Sequence, residues 1–103
     1  MASGTLGQSA PSAATNTTVY TVPVGKIAVC SVSIVNRGTD TVFFRLAVAA
    51  SASPSNSEYL EYEAPIPPSG VLERAGIVAT AGKLFVAYAN TANTSVNIYG
   101  YEE

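Results

Sequence analysis

Histidine is absent from the 103 residues, which removes the commonest general base, the usual partner of a nucleophilic serine or cysteine, and the commonest zinc ligand. Cysteine occurs once, at Cys30, so neither an intrachain disulfide nor a cysteine zinc site can be assembled. Charge is scarce: 12% of residues are charged, about half of the ~25% usual in soluble domains. The basic residues Lys26, Arg37, Arg45, Arg74 and Lys83 are scattered and the formal net charge is -2, so the clustered cations that displace counterions from nucleic acid are missing. The glycines are single, with no phosphate-cradling loop or Walker motif. No apolar run approaches the roughly 20 residues that span a bilayer. Met1 to Ala14 lacks the positive and apolar segments of a signal peptide. The chain therefore reads as a cytosolic product, in which the sequons at Asn16 and Asn93 stay unglycosylated. No cofactor, nucleic-acid or membrane partner is expected.

No stretch carries apolar residues at three-to-four spacing over the ten or more positions a helix requires. What is present is alternation. Ala28, Cys30, Val32 and Ile34 fall on one face of one run, and Val42, Phe44, Leu46 and Val48 on one face of the next. Between them Asn36-Arg37-Gly38-Thr39-Asp40 is rich in turn formers, with Gly38 free to take a positive φ. A strand-turn-strand hairpin over Ile27 to Ala50 is the expected centre of the fold, two neighbouring strands giving one apolar wall. On that face Cys30 is a small core residue.

Around this unit lie further short strands. Val19 to Val22 alternates and meets a turn at Pro23-Val24-Gly25. In Tyr59 to Glu63, Leu60 and Tyr62 are expected on one face and Tyr59, Glu61 and Glu63 on the other. Pro65, Pro67 and Pro68 then confine the chain to an edge or a surface crossing. Val71 to Arg74 and Ile77 to Ala79 read as two short pieces. Leu84 to Ala89, with Leu84, Val86 and Tyr88 facing in, and Val96 to Tyr101 are expected to close the domain as a second hairpin around Asn90 to Thr94. The pattern predicts an all-β chain: an antiparallel β-sandwich, jelly-roll-like, or a small barrel, over residues 19–103. Residues 1–18 are nearly all small or polar, with Leu6 the one large apolar side chain, and read as a flexible N-terminal arm. Such an arm either stays disordered or lies across a neighbouring subunit, where small side chains admit close backbone approach.

No catalytic constellation stands out. Glu61 and Glu63 on one strand face invite comparison with paired carboxylates or a calcium site, yet no Asp-rich ligand loop accompanies them, and a solvated face or subunit salt bridge is the simpler reading. Tyr59, Tyr99 and Tyr101 are candidate contact residues for a sugar or protein partner, because tyrosine is enriched in contact surfaces. With Leu6 on the arm and the two glutamates, they make up the candidate partner surface.

An ordered set of segments carries a family resemblance over about residues 17 to 102: Tyr20 to Lys26 as YTVPVGK, a hydrophobic strand ending in Asn36-Arg37-Gly38, Tyr62 to Pro67 as YEAPIP, Leu72-Glu73-Arg74, Ala81-Gly82, Tyr88 to Asn93, and Tyr99 to Glu102. The set resembles small tailed-bacteriophage virion proteins, in which segments like YTVPAGK, an NR turn and YDAPIP follow one another. The resemblance implies a β-sandwich structural module with no catalytic residue to carry over. It places such modules in the capsid or tail parts of phage particles; together with the low charge, the small-residue arm, the compact sandwich and the lack of active-site chemistry, the leading expectation is a homotrimeric capsid decoration or cement protein that contacts other virion proteins such as the major capsid protein and resides in the virion. Cys30 and the Ala-rich stretch from Ala47 to Ala50 depart from the family pattern. A tail, collar or baseplate component is the alternative within that class, and a carbohydrate- or receptor-binding module the alternative outside it.

Overall fold

Folding the chain back on itself at residues 50–58 brings its two halves together as an antiparallel ribbon, and the ribbon is rolled into two layers. A computed structural model describes residues 3–103, with strands β1 (Ser3–Ser9), β2 (Thr17–Thr21), β3 (Ala28–Asn36), β4 (Val42–Ala49), β5 (Tyr59–Ile66), β6 (Val71–Ala79), β7 (Leu84–Ala89) and β8 (Thr94–Glu102). The ribbon pairs are β1 with β8, β2 with β7, β3 with β6 and β4 with β5, all antiparallel. Rolling adds β3 to β8 and β4 to β7, giving one sheet in the order β1-β8-β3-β6 and another in the order β2-β7-β4-β5. This eight-stranded wrapping is the jelly-roll arrangement of the β-sandwich. The Cα radius of gyration, 12.8 Å, matches the ~13 Å expected for a single domain of this length.

The alternation read from the sequence places the inner faces correctly. Cys30, Val32 and Ile34 of β3 meet Phe44 and Leu46 of β4 across the sandwich, all nearly inaccessible to water. The pairing differs from expectation. β3 and β4 lie in different sheets and supply opposite walls, so residues 37–41 form a crossing between layers in place of a hairpin turn. Asn36 pins that crossing. Fully buried, its Nδ2 donates to the carbonyl oxygens of Asp40 (2.8 Å), Ile66 (2.9 Å) and Pro67 (3.2 Å), and its Oδ1 accepts from the N–H of Gly38 (2.9 Å). Gly38 is not in the left-handed region. A Cβ there would lie 2.9 Å from the Asn93 amide nitrogen, so the glycine supplies space. β7 and β8 likewise belong to different sheets, and residues 90–93 cross between layers.

Three further expectations change. In β7 it is Phe85, Ala87 and Ala89 that join the main core, while Leu84 and Val86 cover the opposite face with Ala47 and Ala49. A central strand buried on both faces carries no alternation to read. Residues 71–79 form one strand, kinked by a bulge next to Gly76, whose φ is +73°. Finally, the described part of the expected N-terminal arm is structured: β1 is an edge strand on β8, and β2 begins at Thr17. Leu6 packs against the chain's own core, and a Cβ on Gly7 would lie 2.4 Å from the Val19 carbonyl oxygen. Gly7 thus serves close approach within the chain itself. Met1 and Ala2, the start of that expected arm, lie outside the described residues.

Candidate functional site

The outer face of the sheet β2-β7-β4-β5 carries a polar and aromatic cluster built on Arg45 of β4. Its register partner on β7 is Tyr88, and on the other side it faces β5. The guanidinium carbon stands 4.3 Å from the Tyr88 ring centroid and 4.5 Å from that of Tyr62, a cation held between two aromatic faces. Its Nε donates to Glu63 Oε2 at 2.8 Å. That hydrogen bond raises the proton affinity of the guanidinium, so Arg45 and Glu63 form a fixed and neutral pair.

Two irregularities in β5 put Tyr62 there. Phe44 pairs with Ala64, Leu46 with Glu61 and Ala47 with Tyr59, so β5 holds an extra residue at Tyr62-Glu63 and another at Leu60. Each extra residue breaks the period of two. Leu60 packs on the main core, as expected, but Tyr62 stands on the outer face with Tyr59, its ring edge-on at 80° with centroids 5.0 Å apart. Glu63 takes a positive φ of 52°, a conformation that costs a non-glycine residue free energy and is held here by the Arg45 ion pair. Glu61 and Glu63 consequently part company. Glu61 turns to the open edge of the sandwich and forms an ion pair with Arg74 of β6, which also donates to the Leu60 carbonyl oxygen at 3.4 Å. The two carboxylates on one face expected from the spacing do not exist; each closes its own arginine.

Tyr59 rests on Ala47, Ala49 and Val86 and joins Tyr62 and Asn56 around a surface hollow of about 460 Å³. Asn56 opens the 3-10 turn Asn56–Glu58, whose end is tied down by Glu58. The Glu58 carboxylate accepts from the N–H groups of Ser55 (2.8 Å) and Ala50 (2.9 Å), closing the connection between β4 and β5. Those two bonds, Ser55 first, hold its carboxyl below the usual carboxylate range. The unfolded chain therefore binds more protons at this position. The tether is fully present above the unfolded value of about 4.3 and is lost as pH falls through the lower folded value. The amide resonances of Ala50 and Ser55 are expected to titrate together with a midpoint below about 4.3. In Glu58→Gln that shared titration disappears; its persistence there would show that another group holds the loop.

The remaining candidate residues lie elsewhere. Tyr99 and Tyr101 stand on the outer face of the other sheet, each 41% exposed. There the cross-strand rows Ser3-Tyr101-Val29-Val78, Thr5-Tyr99-Ser31, Gln8-Asn97-Ser33-Glu73 and Ser95-Val35-Val71 contain a single charged residue, Glu73. A third polar cluster sits in the interior: the Tyr20 hydroxyl donates to the buried Glu102 carboxylate. Burial, reinforced by Glu102, raises both the Tyr20 hydroxyl and the Cys30 thiol, so Cys30 stays a protonated core group. Among the described residues no group of three or more His, Cys, Asp or Glu side chains is placed to hold a metal ion, and no helix is long and apolar enough to cross a membrane.

The sequence singled out Tyr59 and Glu63 but missed Arg45, Asn56 and the outward turn of Tyr62. Arg45 lies outward by the same alternation that buries Phe44 and Leu46, but only the bulges in β5 turn Tyr62 toward it, and nothing in YLEYEAP marks where an extra residue enters the ladder. Comparison with family models, with curated proteins and with solved structures returned no match.

Proposed function

We propose that the chain is a non-enzymatic structural protein of a bacteriophage virion, a decoration or cement protein that packs as a homotrimer on other particle proteins such as the major capsid protein. The observation that carries this reading is the outer face of the sheet β1-β8-β3-β6, where fourteen strand positions can be traced in four rows and most side chains are Ser, Thr, Asn, Val or Tyr. On it Tyr99, Tyr101, Val71 and Val78 are each more than two-fifths exposed. Depletion of charge with exposed tyrosine is the composition of an interface core. A standard footprint of ~800 Å² per partner is about one sixth of the 5107 Å² surface, within what one face of a body 41 × 27 × 19 Å can supply. The jelly roll supports the same reading, being an architecture of capsid domains, although it also serves lectins. The sequence resemblance to small phage virion proteins points the same way.

Quantitative mass analysis of purified phage particles tests the reading. Hundreds of copies per particle are expected for a capsid decoration protein, whereas only six or twelve would move it to the tail, collar or baseplate. Sedimentation of the isolated protein is expected to give trimers that Val78→Glu disperses. Absence from particles together with a monomer at high concentration would overturn the proposal.

A further inference from the structure

We infer that the hollow between Asn56, Tyr59 and Tyr62 is a binding site for a neutral saccharide. Its volume, about 460 Å³, falls within the range of small-ligand sites, roughly 300–1,000 Å³. Two tyrosine rings meet at 80° and form a corner, offering both an aromatic face and an aromatic edge. A pyranose ring has the complementary form: one face of C–H groups that packs on a π-surface, and a rim of hydroxyls. For that rim the hollow supplies the Asn56 amide and the hydroxyls of Tyr59 and Tyr62, none of which has a hydrogen-bond partner among the described residues.

Electrostatics narrows the ligand class. Arg45 already occupies a face of Tyr62, so a cationic ligand would meet a fixed like charge at the ring that should attract it. Glu63 neutralises Arg45, so an anion gains little. A neutral, hydroxyl-rich ligand remains. An extended proline-rich peptide asks for a furrow of spaced rings, and a single right-angled corner does not provide one.

The corner is also held in place before any ligand arrives. Tyr59 is seated on Ala47, Ala49 and Val86, Tyr62 is braced by Arg45, and Glu58 closes the loop that presents Asn56. Such preorganisation lowers the entropy lost on binding. The inference stands apart from the particle reading: it concerns the opposite sheet from the charge-poor face and holds or fails wherever the protein resides.

The test is titration of the isotope-labelled full chain, followed by amide resonances, with maltotriose, chitotriose and mannotriose, and separately with a polyproline peptide. At least one trisaccharide is expected to shift Asn56, Tyr59 and Tyr62 saturably at millimolar concentration. Tyr62→Ala should weaken that response by about tenfold or more, Tyr62→Phe should retain most of it, and Tyr99→Ala should leave it unchanged. Because Tyr62 is 59% exposed, its truncation is compatible with folding, which the dispersion of the same spectra verifies. Silence of these three residues toward all three trisaccharides, saturation by the peptide alone, or a saccharide response indifferent to Tyr62→Ala would each overturn the inference.

Discussion

Replacing Asn36 by leucine, a side chain of similar size, is expected to lower the stability of the fold by about 4 kcal/mol, a large share of the 5–15 kcal/mol typical of a domain. The reason lies in how many groups one amide satisfies. Its Nδ2 has two hydrogens, shared among the carbonyl oxygens of Asp40, Ile66 and Pro67, and its Oδ1 takes the Gly38 N–H. Its own backbone adds two bonds, from Asn36 N–H to the Gly70 carbonyl and from Ser69 N–H to the Asn36 carbonyl. The residue thereby fastens the β3-to-β4 crossing to the connection between β5 and β6. Leucine would leave the buried Ile66 carbonyl and the partly buried Asp40, Pro67 and Gly38 groups without this partner, at up to about 1–3 kcal/mol each, with no gain in apolar fit.

Asn36→Asp makes the argument sharper. A carboxylate keeps the acceptor for Gly38 but turns its second oxygen toward three carbonyl oxygens. The folded state then favours the protonated acid, which raises the folded pKa above the unfolded value. Stability of this variant should be greatest below the unfolded carboxylate value of about 4 and fall as pH rises through the folded one. That trend is opposite in sign to the loss of the Glu58 tether on acidification. Urea unfolding across pH measures both, with the midpoint changing and the slope preserved. A cost below about 1 kcal/mol for Asn36→Leu, or an Asn36→Asp variant insensitive to pH, would show that the buried amide is not the fastener.

The second large effect is expected at Gly100. This residue lies in β8, between β1 and β3, opposite Gly4 on one side and Cys30 on the other. Its φ is +151°, and a Cβ would stand 2.0 Å from the Val29 carbonyl oxygen and 3.0 Å from the Cys30 Cα. Both obstacles are backbone atoms of a central strand. They cannot rotate away as a side-chain tip can, and moving them breaks the ladder that joins β3 to β8. Gly100→Ala is therefore expected to cost more than about 4 kcal/mol or to abolish folding. Gly4→Ala is the control. It shares the positive φ, +101°, but a Cβ there meets nothing within 4 Å, so only the conformational cost of about 1 kcal/mol is expected. Comparable stability of the two variants by urea or thermal unfolding would refute the close-approach account.

These two residues also show where reading the chain alone stops. Asn36 looks like an ordinary turn former beside Arg37 and Gly38, and Gly100 like one small residue in a tyrosine-rich strand. Burial and backbone proximity, which give both their weight, come from segments far away: Ile66 and Pro67 for one, Val29 and Cys30 for the other. The candidate site follows the same rule. Tyr59 and Glu63 were legible as outward polar or aromatic positions, but the bulges in β5 decided that Tyr62 would join them and that Glu61 would leave for Arg74.

By itself, then, the order of residues determined the all-β class, the inner faces of β3 and β4, the edge position of the proline-bearing β5 and the burial of Cys30. Each of these is a local property, set by whether successive side chains alternate and whether the backbone can donate. Tertiary structure alone decided that β3 and β4 separate into opposite sheets, that residues 3–9 close the β1-β8 edge, and which aromatic rings share a face. Period two records which way a side chain points but not which strand lies alongside. That choice is made by the closure of the whole ribbon, where distant backbones must meet without a clash and every buried carbonyl must find a donor.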